Sequence, residues 1–300
     1  MPESMEQRAG GKVPVMECFK AAWQFLDRNW RLLLLAAAIT AALSQVGVVL
    51  TLLASPPVDQ TQTMLSVTLW DLVAGAPALI AGLMFAAAVL RKAVRDEFLP
   101  PTGLAFGADE LRLLGVTAAL VCVFLPIAAL LFVVVSFAVL SRLAATPEQL
   151  DALLADPDAL ADALQNTLGQ GGVTAMLMFV AIGLVAIAYL SVRLTMVNAA
   201  TIGERKMVIF QTWRWSAGNV LRMFAATILT ALPVVFFEAI LDAMRAGVLE
   251  GMTLEGAGGG ATLVIINGAT AFLLSIASIP TIALGAILYK GLRPQDFVAR

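Results

Sequence analysis

The sequence predicts an all-α integral membrane protein, a six-helix bundle with amphipathic interfacial helices before the odd-numbered spans, and three observations predict it. Hydrophobic residues fill 60% of the 300 positions, the mean hydropathy is +0.89 and only 13% of residues are charged, where an ordinary soluble domain has about 25%. Apolar runs long enough to cross a hydrocarbon core recur from Leu32 to Tyr289 and leave no polar block large enough to fold alone. Lys and Arg are segregated, 17 of the 19 lying in alternate connections.

Residues 1–31 form a polar and then amphipathic N-terminal segment. Met16, Phe19, Trp23, Leu26 and Trp30 fall at helical spacing, with Lys20, Gln24, Asp27 and Arg31 on the adjoining face. Two readings stay open: a helix lying in the membrane interface, or the lead-in turns of the first span. That span, 32–53, is too long for the apolar region of a signal peptide, so no cleavage near Ala54 is expected.

The first outer loop, 54–69, contains Pro56, Pro57 and Asp59 and no cation. In the second span, 70–90, Ala74, Ala78, Gly82 and Ala86 recur every four residues and predict a packing face for another helix. A short polar surface segment, 103–114, precedes the third span, 116–140. The loop 141–172 is acidic. Thr146-Pro147-Glu148-Gln149 reads as a capping box, and Asp156-Pro157 starts a second short helix with Leu160, Leu164 and Leu168 on one side, ending at Gly169. Both helices are expected over the outer mouth of the bundle. The remaining spans are placed at 173–192, 220–241 and 261–288, with a glycine-rich outer loop before the last and a tail at 290–300.

The stretch Val192–Phe224 is the central polar interruption. It carries Arg193, Arg205, Lys206, Arg214 and Arg222 against one acid, Glu204. With the N-terminus, the 91–115 loop and the C-terminus it holds nearly all the cations. The positive-inside rule therefore puts both termini in the cytoplasm of a bacterial inner membrane. Arg193 and Glu204 lie about 16 Å apart on an unbroken helix, so each needs a break or another helix to find a partner.

Phe25–Leu33 resembles Phe106–Leu114, and Trp215–Met223 is a looser copy. These three stretches read either as three hairpins of one construction or as convergence, since Trp and Arg favour the interface in any membrane protein.

Arg193, Glu204, Trp213, Gly218, Asn219 and Arg222, with the N-terminal CFKAAWQFLDRNWRLLLL, resemble the bacterial membrane-domain family named after glycerophosphoryl diester phosphodiesterases. Asn198-Ala199-Ala200 departs from that family's proline-containing pattern. The resemblance implies an architecture, since the phosphodiesterase activity of that family resides in a separate soluble domain.

The chemistry-bearing residues are few. The chain has no histidine, which removes Ser-His-Asp and Cys-His arrangements, histidine metal sites and the usual general base. No CxxC occurs, and Gly256–Gly260 lacks the GK[ST] of a phosphate loop. No cofactor, metal or nucleic acid is expected. Cys18 and Cys122 lie in different surroundings, so no disulfide is expected.

The first functional reading is a non-enzymatic membrane protein whose basic cytoplasmic surface (Arg193, Glu204, Arg205, Lys206, Trp213, Arg214, Arg222) binds anionic lipid headgroups or a partner protein. The alternative is a small transporter or channel subunit, with a polar path through Gln45, Asn267, Glu238 and Asp242 between helices kinked at Pro77, Pro126, Pro233 and Pro280. A membrane-bound lipid enzyme is a third reading, with Glu238/Asp242 or Asp109/Glu110 as its carboxylates.

Overall fold

The structure is a computed structural model that describes residues 12–54, 69–143, 157–250 and 257–294. Its helices are α1 Val15–Ala54, α2 Leu69–Arg95, α3 Ala108–Leu143, α4 Pro157–Leu194, α5 Val197–Glu204, α6 Gln211–Trp215, α7 Val220–Glu250 and α8 Ala257–Leu292. No strand occurs among the described residues. Six of the helices are long and apolar enough to cross a membrane, so the chain is an all-α, multi-pass membrane protein. The first outer loop, the capping box at Thr146–Gln149 and the last residues of the tail lie outside the described residues.

The chain divides into two compact units. One comprises Met1–Val116 with Arg193–Arg300, the other Thr117–Val192. In the first unit α1 packs along both α2 and α8, and α5 packs against α2 and α8. Its core joins Leu33, Ala36 and Ala37 of α1 to Phe85 and Val89 of α2 and Ile279 of α8. Lipid is as apolar as these side chains, so close packing and dispersion hold the seam. Small residues let it close. Gly47 of α1 is seated on the Ala74 carbonyl of α2, leaving no room for a Cβ. Of α7, Met223, Ala226 and Thr230 are buried; from Ala231 to Val248 no residue is.

In the second unit, α3 from Thr117 to Phe137 and α4 from Gly171 to Val192 are apolar on all sides. Leu125, Leu130, Phe132 and Phe137 of α3 and Leu177, Ile182, Leu184 and Val185 of α4 are exposed. Leu131 leans on Gly183, whose lack of a side chain makes space for it.

Four expectations are modified. The amphipathic stretch at Met16–Trp30 is the N-terminal extension of the first span, because α1 runs unbroken through 40 residues with no proline and with Gly47 as its sole glycine. The stretch before the third span likewise belongs to α3, and among the described residues a separate step, α6, precedes only the fifth. The stripe on α2 is not a continuous packing face: Ala74 meets Gly47, but Ala78 and Gly82 are exposed, and Ala81, Phe85, Ala88 and Val89 are buried instead. Small size permits close approach on any side of a helix, and the bulkier face won. The internal repeat does not carry over into burial. Leu32 is exposed and Leu33 buried, whereas their counterparts Leu113 and Leu114 are buried and exposed. The short helix expected to end at Gly169 does break there, at φ 64° and ψ 168°, before α4 resumes. Each of the four prolines sits inside a helix that continues past it.

Candidate functional site

The basic connections meet at one end of the first unit. α4 ends at Leu194, and after a turn at Thr195–Met196 the chain re-enters as α5. α5 buries Val197, Ala199, Ala200, Thr201 and Ile202. It stops because Arg205 takes the left-handed conformation, φ 53° and ψ 27°. The Thr201 hydroxyl then accepts from the Val208 amide at 3.3 Å, which turns the chain back toward α6. Gly218, at φ 77°, permits the bend into α7. Asn219 completes the join, its Oδ1 accepting the Val13 amide at 3.0 Å, so the start of α1 and the start of α7 are tied side by side.

Arg193 and Glu204 do not pair with each other. The Arg193 guanidinium lies 4.5 Å from the centre of the Trp213 ring and donates to the Trp213 carbonyl at 2.8 Å, a cation–π stack with a hydrogen bond. Glu204 accepts from the Tyr289 hydroxyl at 2.6 Å and pairs with Arg293 at 2.8 Å. Tyr289 in turn packs on Trp215 at 6.0 Å. Gly203 leaves room for the Tyr289 ring, and Gly285 for the Thr195 carbonyl. The break at 195–196 thus sends each charged residue to a different element.

Asp109 and Glu110, the candidate carboxylates of the third reading, belong to a second set of charges whose pairing the sequence does not show. Arg91, at the end of α2, and Glu110, in the first turn of α3, are 4% and 1% exposed and pair at 2.5 Å. Arg91 also donates to the Gly103 carbonyl at 3.0 Å, and Glu110 caps its own helix through the Gly107 amide at 2.9 Å. Asp109 pairs with Arg95 and with Arg112 at 2.8 Å. Glu97 links this cluster to the central step through Arg95 at 3.0 Å and Arg205 at 3.3 Å. Asp109 and Glu110 are therefore engaged by arginines. The signal was present in part: cations closing one helix and acids opening the next suit the helix dipoles. Only the fold of the 96–107 loop, with Gly103 at φ 76° and Phe98 packed over it, brings them together.

The outward side of the step is different. Arg214 and Arg222 are exposed and form no ion pair among the described residues. Around them in the chain, Phe210 is 73% and Leu221 83% exposed, with Met207, Trp213 and Phe224 also exposed. Lys206 is half-buried and has an interaction of its own.

The residues of the proposed polar path are dispersed by burial. Gln45 is 8% exposed, and its Oε1, like the Oδ1 of Asn267, is buried without a hydrogen-bond partner. Glu238 and Asp242 are exposed on α7. Among the described residues no group of three metal-ligating side chains is found. Cys18 is buried and Cys122 exposed.

The fold and this surface define a multi-pass, all-α membrane protein with one highly basic end. Comparison with known families, with curated proteins and with solved structures gives no match.

Proposed function

We propose that the chain is a non-enzymatic protein of a bacterial inner membrane, both termini cytoplasmic, whose basic end seats anionic lipid headgroups. One observation carries the reading: Arg214 and Arg222, exposed and outside any ion pair among the described residues, stand among exposed Phe210, Trp213, Leu221 and Phe224. Cations interleaved with large apolar side chains suit the headgroup layer, where the rings meet acyl chains and the guanidinium groups meet phosphate. Arg193, Arg205 and Glu204 are held by other elements and so keep the step in place.

Extraction of the protein with its surrounding lipid, followed by mass spectrometry, tests this. Anionic lipid is expected to be enriched, and Arg214→Gln with Arg222→Gln to weaken its retention about 30-fold at low salt, from roughly 1 kcal/mol per arginine. No enrichment, or a stoichiometric protein in place of lipid, sinks the headgroup reading. A second reading, a transport subunit, draws support from the buried amide oxygens of Gln45 and Asn267. Liposome flux that Gln45→Leu abolishes would favour it.

A further inference from the structure

α1 and α8 run past one another in a register that several contacts fix. Leu33, Ala36 and Ala37 meet Ile279, a Cβ at position 268 would lie 3.5 Å from Gln45 Cγ, and one at position 260 would lie 3.6 Å from Leu52. Four hydroxyl groups of these two helices satisfy themselves on their own helix. Ser44 donates to the Ala41 carbonyl at 2.7 Å, Thr51 to Gly47 at 2.9 Å, Thr270 to Ile266 at 3.0 Å and Ser275 to Ala271 at 2.7 Å.

Two amide oxygens do not. Gln45 uses its NH2 group on Ser44 Oγ at 3.0 Å and on the Ala41 carbonyl at 3.5 Å, which fixes the amide and leaves Oε1 buried with no donor. Asn267, beside Gly268, has its Oδ1 in the same state. Thr40, Thr227 and Thr230 also have orphaned hydroxyls, but a hydroxyl can turn toward its own helix, whereas the Gln45 amide is held. In hydrocarbon, an acceptor without a donor is costly.

We infer that Gln45 and Asn267 mark a site between α1 and α8 for a small neutral molecule that donates hydrogen bonds through O–H, water or a polyol hydroxyl. The class follows from the chemistry. Both orphaned groups are acceptors, so the occupant is a donor. It is uncharged, because α1 beyond Arg31 and α8 before Lys290 contain no ionisable acid or base other than Tyr289 to balance a charge. It is small, because a methyl group added at Gly268 would already touch the Gln45 stem at 3.5 Å. The inference rests on neither reading above, since a site can be occupied without passage.

The test uses full-length protein labelled with 15N at Gln and Asn, held in lipid nanodiscs, with magnetisation transfer read from water and from added glycerol to the side-chain amide protons. The Gln45 and Asn267 signals are assigned by their loss in Gln45→Leu and Asn267→Leu. Transfer from water to both amides is expected; its replacement by transfer from glycerol identifies a site that also admits polyols, and water transfer alone identifies water as the occupant. Gly268→Ala, whose added methyl meets Gln45 at ordinary contact distance, is expected to cut the transfer at least threefold while both amide signals remain. Absence of transfer from either source, a contact between the two amides alone, or transfer unchanged in Gly268→Ala overturns the site.

Discussion

The two units of the chain solve the problem of living in lipid differently. In the second unit the most apolar 18-residue stretches of α3 and α4 contain almost no buried residue, and these two stretches have the highest hydropathy of the six. In the first unit, the corresponding stretches of α1, α2 and α8 are 33%, 28% and 44% buried, and those helices carry Gly47, Gln45, Asn267 and Gly268. A helix surrounded by hydrocarbon is uniformly apolar, since every side faces the same solvent. One that packs on neighbours gives up hydropathy for small and polar residues on the faces it hides. Charge follows the same division: the buried Arg91–Glu110 pair and the Glu204–Arg293 link both belong to the first unit.

Substitutions at matched positions sharpen this contrast. The largest effect is expected from Glu110→Ala, which leaves Arg91 buried and unpaired. Roughly 3–5 kcal/mol should be lost, read as a shift in denaturant unfolding in mixed micelles, while Asp162→Ala, at an exposed position of α4, leaves the midpoint unchanged. Equal effects would mean that the pair contributes nothing beyond a surface charge.

Glycines give the next comparison. Gly47→Ala drives a methyl into the Ala74 backbone carbonyl, which cannot move without parting α1 from α2, and about 1–3 kcal/mol is expected. Gly183→Ala meets only the flexible end of Leu131, which can turn away, so a smaller loss is expected. The reverse order would place the tighter seam in the second unit.

Leu33→Ala and Leu125→Ala compare a buried with a lipid-facing leucine. The first should cost roughly 1–2 kcal/mol, less than in a soluble core because lipid replaces the lost apolar surroundings. The second should stay within about 0.5 kcal/mol. Thermal unfolding in one lipid composition measures both.

The smallest effect is at the exposed edge of the charge cluster. Lys92 donates to Asp96 at 2.6 Å, and that hydrogen bond, with the charge of Lys92, holds the Asp96 carboxyl below its ordinary range. A lowered carboxyl contributes stability above its unfolded titration range and loses it as the pH falls through the folded one. Asp96 is fully exposed, so salt screens the pair. Asp96→Asn should leave the unfolding midpoint at neutral pH unresolved from the parent, and a clear drop would show the pair to be part of the Arg95–Asp109 cluster.

Much of the architecture was readable in advance because it depends on sums along the chain. Six spans, the basic step between the fourth and fifth, and the break at Gly169 each follow from local runs of apolar residues, cations or glycine. The candidate site was readable only as a set of residues. Arg193, Glu204, Trp213 and Arg214 were named, yet Tyr289 and Arg293, the partners of Glu204, lie in the last helix and just beyond it, and nothing in their spacing points to Glu204. Gln45 and Asn267 were legible as polar residues in apolar runs, while their burial and empty acceptor positions depend on how α1 and α8 are rotated.

The sequence alone determined the solvent of this protein, its helical class and the clustering of its charge, because hydropathy and charge act residue by residue along the chain. Tertiary structure decided that α1, α2, α5 and α8 pack together, that Ala81 and Phe85 rather than Ala78 and Gly82 are buried on α2, and that Arg91 meets Glu110. In lipid an apolar side chain gains little by choosing protein over hydrocarbon, so hydropathy cannot select a helix face. Steric fit at Gly47 and Gly268 and the pairing of buried charges make that selection, and both exist only once the helices are side by side.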